Sequence, residues 1–140
     1  IRDVFEVNLF ATMELTQLVL RKMIKQKSGS IVNMSSIAAL NLRPGNSAYG
    51  VSKAAIKAWT ETLATEVASY GIRVNAIAPS LTDTDMAKLM EDKAGKEMLS
   101  ASAMGRFASA EEIANIALFL ASEDASFVNG HTIVANGGGQ

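Results

Sequence analysis

Gly29-Ser30-Ile31-Val32-Asn33-Met34-Ser35-Ser36 is a short apolar, β-branched run set between small polar residues. It reads as a buried strand over Ile31–Met34 that is released at Ser35-Ser36. The stretch before it differs in period. From about Arg2 to Gln26, Val4, Leu9, Met13, Leu15, Leu18, Leu20 and Met23 recur at threes and fours over part of the length. That spacing predicts one long helix, with Arg21, Lys22, Lys25 and Lys27 at its negative end and Ser28-Gly29-Ser30 stopping it. After the strand comes a loop with Pro44, Gly45 and Asn46. A second helix then starts on Asn46 or Ser47 as cap, runs to about Tyr70 and stops at Gly71. Its alanines, Ala54, Ala55, Ala58, Ala64 and Ala68, allow close packing.

Further on, Ile72 to Ala78 reads as a second strand stopped by Pro79, and Thr132 to Ala135 as a last one before the Gly137-Gly138-Gly139 tail. Between them, residues 81–106 are mixed: a short helix is predicted at Thr84 to Glu91, with mobile segments near Gly95 and Gly105. Ser109-x-x-Glu112 is a capping box that opens a third long helix through Ile113, Ala117, Leu118 and Leu120. Apolar strands separated by helices require right-handed crossovers, so the fold class is α/β, a parallel sheet with helices on its faces. Three strands are few for such a sheet, and the first would keep an open outer edge. The chain also opens at Ile1, already in a helical pattern, which reads as an internal start of something longer.

Composition narrows the function. The 140 residues carry 13 basic and 14 acidic side chains, a net charge of −1, which argues against clamping nucleic acid phosphates. There is no Cys, so disulfides and cysteine-ligated metal are excluded, and a reducing compartment fits. One His, His131, rules out His-pair metal sites and disfavours a Ser-His-Asp triad. No apolar run reaches the roughly 18 residues of a membrane span, and early charges at Arg2, Asp3 and Glu6 do not suit a signal peptide. The reading is a cytoplasmic chain that binds neither nucleic acid nor membrane.

Chemistry concentrates at Tyr49-Gly50-Val51-Ser52-Lys53. A spacing of four puts a phenol and an ammonium one turn apart on one helix face. A nearby cation favours the ionised form of a phenol, and a tyrosine so placed can serve as acid and base near neutral pH. By itself an exposed Tyr–Lys pair is common. Ser36 adds to it, because it sits where a buried parallel strand ends, the edge at which such sheets bind ligands. A hydroxyl there could hold a carbonyl oxygen beside the phenol, or else simply cap a turn, as its neighbour Ser35 could.

These residues resemble the short-chain dehydrogenases/reductases. Gly29 to Ser36 is similar to that family's fifth strand, and Tyr49-x-x-x-Lys53 followed by Ala54-Ala55 to its active-site helix. Arg73-Val-Asn-Ala-Ile-Ala-Pro79 resembles the sixth strand, Thr82-Asp-Thr84-Asp-Met86 the cofactor loop, and Gly130 to Gly138 the closing strand. The resemblance spans the chain but only the family's C-terminal half, most like the 3-oxoacyl-(acyl-carrier-protein) reductase type. It implies the C-terminal part of a Rossmann-like doubly wound sheet, a single partial domain over residues 1–140. It also implies NAD or NADP as cofactor and reversible reduction of a small-molecule carbonyl to a secondary alcohol.

Position by position, the resemblance makes Tyr49 the proton donor and acceptor and also a contact of the cofactor. Lys53 favours its phenolate and holds the nicotinamide ribose, and Ser36 orients the carbonyl. Asn8 becomes the fourth member, holding a relay water near the lysine. Pro79, Ser80, Thr82 and Thr84 would wrap the nicotinamide, with Thr84 on its carboxamide. Ser80 stands where the family usually has Gly, and Asn136 where many members carry Asp. Met86, Met90, Met98 and Met104 fall in the family's substrate lid, where thioethers suit an acyl substrate or simply fill core. Asn75 and His131 read as structural. None of the ten glycines forms G-x-x-x-G-x-G, so the pyrophosphate turn and the residue separating NAD from NADP are absent. The resemblance further implies a homodimer or homotetramer joined through helices 2–26 and 47–70. Two other outcomes are a half-domain that only associates and a family member that epimerises.

Overall fold

The computed structural model describes residues 1–41, 43–83 and 92–139. Helix α1 (Arg2–Phe5) passes through a π-helical turn (Glu6–Phe10) into α2 (Ala11–Gln26). Strand β1 (Gly29–Met34), a 3-10 turn (Ile37–Ala39) and α3 (Ser47–Val67) follow. Next come β2 (Ile72–Pro79), β3 (Thr82–Asp83), α4 (Asp92–Ser100), β4 (Ala108–Ser109), α5 (Ala110–Ala121) and β5 (Thr132–Ala135). The main sheet has the order β1-β2-β5, all parallel, with Gly29 beside Ile72 and Ala76 beside Thr132. The predicted α/β architecture is therefore present.

Strand alternation explains the layers, because successive side chains leave a strand on opposite faces. Ile31, Ile72 and Val74 pack with Leu20, Met23 and Ile24 of α2 and with Trp59, Leu63 and Val67 of α3. Val32, Ile77 and Ile133 pack on the other face with Ile113, Ile116 and Leu120 of α5. Polar side chains obey the same parity. Asn33, on the α3 face, donates to Thr60 Oγ1 at 2.9 Å, while Arg73, on the α5 face, donates to Leu120 O at 2.8 Å and Ser122 O at 3.0 Å. That cation rests on the carbonyl end of α5, where the helix dipole favours it.

Two helix ends use left-handed backbone. α2 closes on Lys27 (φ 54°), with Lys27 N–H donating to Ile24 O and Ser28 N–H to Met23 O, a Schellman closure. The α3 segment closes on Gly71 (φ 71°) after a 3-10 turn, Ala68–Tyr70, and a Cβ there would lie 2.5 Å from Lys27 O.

Three expectations need correction. The long first helix is interrupted by the π-turn, which contains Asn8. Gly95, expected in a mobile segment, lies inside helix α4. Residues 81–106 also contribute β3 and take part in a second, two-stranded sheet whose pairs are Thr82–Ala108 and Asp83–Ser109. The helix expected at Thr84–Glu91, and with it Thr84, Met86 and Met90, lies outside the described residues.

Candidate active site

The carboxyl edge of the sheet gathers Ser35 and Ser36 after β1, Pro79 and Ser80 at the end of β2, and Asn136 after β5. The Ser35 amide donates to Ile77 O at 2.8 Å and the Ser80 amide to Ala135 O at 2.9 Å, so the three exits are stitched together. Helix α3 begins beside this edge because the chain returns from β1 through the 3-10 turn and a loop with Gly45 at φ 83°. Its first turns bring Tyr49 and Lys53 to the β1 exit. The Lys53 ammonium lies 5.9 Å from the centre of the Tyr49 ring and donates to Met34 O at 3.0 Å. In return Ser35 Oγ donates to Lys53 O at 2.9 Å. Burial lowers the pKa of Lys53 from its ordinary value.

Ser36 is buried, and its hydroxyl accepts from the Ala38 amide at 3.1 Å, capping the 3-10 turn. The capping alternative is thus realised at Ser36, while Ser35 ties the strand to α3. The hydroxyl hydrogen of Ser36 stays available as a donor while its oxygen accepts. Tyr49 is 39% exposed, so its phenol is open to solvent and to a ligand.

Asn8 reaches this assembly indirectly. Its Nδ2 donates to Ser52 Oγ at 3.1 Å, and Ser52 Oγ donates to Tyr49 O at 2.7 Å. Ser52 is fully buried between the π-turn and α3. π-turns recur at functional positions, and here the widened turn carries Asn8, whose side chain makes a hydrogen bond from the first helix to the Tyr–Lys helix. Sequence reasoning passed over Ser52, although a polar residue inside a helix directly before Lys53 was a usable signal. Asn75 is structural, as expected: it donates to Val128 O at 2.8 Å and accepts from the His131 amide at 2.9 Å. The His131 side chain is exposed.

On the far side of the edge, Ser80 lines a cavity of about 150 Å³ with Met104, Arg106, Glu112, Ile113 and Gly137 among its walls. Thr82 Oγ1 donates to Ser80 O at 3.3 Å. Arg106 grips Glu112 with two hydrogen bonds, 2.9 and 2.7 Å, and Glu112 also accepts from the Ser109 amide at 2.8 Å. The Arg106 hydrogen bonds, then the Ser109 amide, hold the Glu112 carboxyl down at about 2. The Met104 amide donates to Gly137 O at 3.0 Å, so the glycine tail braces the segment after α4. Among the described residues no cluster of metal-ligating side chains occurs, and no helix is long and apolar enough to cross a membrane.

Compared with known proteins, the whole chain, residues 1–140, matches the family described as enoyl-(acyl carrier protein) reductase. The chain belongs to the short-chain dehydrogenase/reductase family. It is 44% identical over 135 residues to 3-oxoacyl-(acyl-carrier-protein) reductase of Thermotoga maritima, covering 96% of this chain and 55% of that protein. It is 37% identical over 136 residues to the Escherichia coli K12 reductase of the same name, covering 97% of this chain and 56% of that protein. The chain therefore spans about half the length of the curated relatives it matches. Among solved structures it resembles a 7α-hydroxysteroid dehydrogenase complexed with NADH and 7-oxo glycochenodeoxycholic acid. That match has a TM-score of 0.92 and 35% identity, over 96% of this chain and 53% of that one. A gluconate 5-dehydrogenase from Burkholderia cenocepacia, in complex with NADP and tartrate, matches with TM-score 0.89 and 33% identity, over 94% and 52%. The Rossmann-type α/β fold of this short-chain dehydrogenase/reductase follows from both.

Proposed function

We propose that the protein carrying this chain is an NAD(P)-dependent oxidoreductase that interconverts a carbonyl and a secondary alcohol, with 3-oxoacyl thioesters as the first substrate class to try. The observation that carries this reading is the Tyr49–Lys53 pair, one turn apart on α3, set at the β1 exit beside the buried hydroxyl of Ser36. The names of the relatives, which include 3-oxoacyl reductases and dehydrogenases holding NADH or NADP, support the same reaction class.

The residues suit the nicotinamide end of such a cofactor. An ammonium has three donors; among the described residues, the one hydrogen bond of Lys53 goes to Met34 O, so two remain for ribose hydroxyls. Pro79, Ser80 and Thr82 offer a neutral, hydroxyl-bearing wall, and Thr84 belongs to the same proposed set. When bound, the nicotinamide supplies or takes up the hydride. The chain's own part is proton transfer and orientation. Ser36 donates its hydroxyl hydrogen to the substrate oxygen, Tyr49 delivers the proton to that oxygen during reduction and removes it during oxidation, and the Lys53 ammonium offsets the charge left on the Tyr49 oxygen until a proton returns from solvent. Asn8 acts at one remove, by fixing the helix turn between Tyr49 and Lys53 through Ser52, and holds the relay water near the lysine.

Association through helices 2–26 and 47–70 belongs to the same proposal. Val7, Leu15 and Leu18 on the first helix and Val51 on α3 are large apolar side chains left exposed, a pattern that suits a second subunit. Replacing Leu15 and Leu18 together by Glu should convert a dimer or tetramer into monomer on light scattering. A cytoplasmic setting accords with the lack of Cys.

The test is the oxidation of NADPH and of NADH by the full-length protein with a 3-oxoacyl thioester, a cyclic ketone and a keto acid. Consumption of either nicotinamide with one of these carbonyls is expected. No consumption with any of them would overturn the reading.

A further inference from the structure

We infer that Arg106 and Glu112 are positioning residues for the cofactor loop, a clamp that carries the order of helix α5 across to Ser80 and Thr82; the inference rests on the cofactor reading proposed above. The path is continuous. α5 is anchored in the core through Ile113, Ile116 and the buried Leu120. At its first turn the capping box closes in both directions: the Glu112 amide donates to Ser109 Oγ at 3.1 Å, and the Ser109 amide donates to Glu112 Oε2 at 2.8 Å. Ser109 and Ala108 are strand β4, and β4 pairs with Asp83 and Thr82 of β3.

Two residues per strand make a weak sheet, since isolated short pairings are marginal in water. Something must hold β4 still for β3 to lean on it. The Glu112 carboxylate does this by gripping both Ser109 N–H and the fork of Arg106, and Arg106 Nη1 also donates to Phe107 O at 3.1 Å. Residues 106, 107 and 109 are thereby tied to one carboxylate on a core-anchored helix. A fork on a carboxylate is directional as well as attractive, which is what positioning demands. Ser80 and the Arg106–Glu112 pair wall the same small cavity, so displacement of the pair opens space directly under the loop.

The test uses the full-length protein with Arg106→Met, Glu112→Gln and Arg106→Lys. Glutamine still serves the capping box, so Glu112→Gln leaves α5 formed while removing the charge that holds Arg106. Arg106→Met and Glu112→Gln should raise the KM for the nicotinamide cofactor about fivefold, in line with the loss of a geometrically good exposed pair, and leave kcat and the carbonyl KM within about twofold. Arg106→Lys, which keeps the charge without the fork, should fall between. Hydrogen exchange at residues 80–83 should quicken in both variants, with residues 74–78 unchanged. An unchanged cofactor KM, or an equal loss in all three constants, would overturn the clamp. If the parent turns over no nicotinamide at all, the functional reading fails on its own account, and the exchange result still decides: unaltered exchange at 80–83 in Arg106→Met refutes the clamp.

Discussion

The two sides of the sheet's carboxyl edge are held by different physics. On one side, Ser36, Tyr49 and Lys53 stand on β1 and α3, whose interface is buried and carries the Asn33–Thr60 hydrogen bond and the reciprocal Ser35–Lys53 and Lys53–Met34 bonds. On the other, Ser80 and Thr82 rest on a two-residue strand pairing and on the solvent-exposed Arg106–Glu112 pair. The first arrangement is fixed wherever the core is folded. The second is electrostatic and open to water, so it responds to pH and salt at little cost to the fold. A proton-transfer group gains from rigid placement, whereas a loop that must admit and release a cofactor gains from a weaker tie.

Breaking the rigid side should have the largest effect. Lys53→Met removes the ammonium beside the phenol and should lower kcat/KM by about 10²–10³-fold, read in a steady-state assay, with the fold retained on circular dichroism. Next comes Gly71→Ala. It forces a Cβ to 2.5 Å from Lys27 O at a left-handed φ, and should cost about 2 kcal/mol or more in urea unfolding.

Acid should separate the two sides. The folded Glu112 carboxyl is depressed from 4.5 to about 2, so its stabilising tie is fully present above pH 4.5 and is lost as pH falls toward 2. Over that window, hydrogen exchange at residues 106–109 should rise in the wild type and stay flat in Glu112→Gln. The smallest effect lies at the opposite, amino edge of the sheet: Lys27→Gly relieves a left-handed non-glycine and should raise stability by about 0.5–1 kcal/mol in the same unfolding measurement.

The same division governed what could be read from the chain. Ile31–Met34, Ile72–Ala78 and Thr132–Ala135 were legible because strands of a parallel sheet favour apolar, β-branched runs, although only β2 is buried over most of its length and β1, expected to be buried, is largely half-exposed. α3 and α5 were legible because Gly71 and the Ser109–Glu112 box mark ends chemically. The π-turn over Glu6–Phe10 left no mark, since a shift in hydrogen-bond register needs no particular residue. α4 was missed because Gly95 sits in its middle and argues against a helix on propensity alone. The pairing of Thr82 with Ala108 depends on where the chain returns after 25 or so residues, which no local pattern encodes. In the site, Tyr49 and Lys53 were given by spacing and Ser36 by its place at a strand end. Ser52 and the Arg106–Glu112 grip needed coordinates, because each matters through a partner on another segment or turn.

The most direct test of the account is Tyr49→Phe in the full-length protein, with turnover and cofactor dissociation measured on the same preparation. The account predicts a loss of turnover of about 10²–10⁴-fold with the cofactor dissociation constant within about twofold, since phenylalanine removes the phenol hydroxyl, and with it the transferable proton, while keeping the ring. Turnover within a few-fold of the wild type would contradict it.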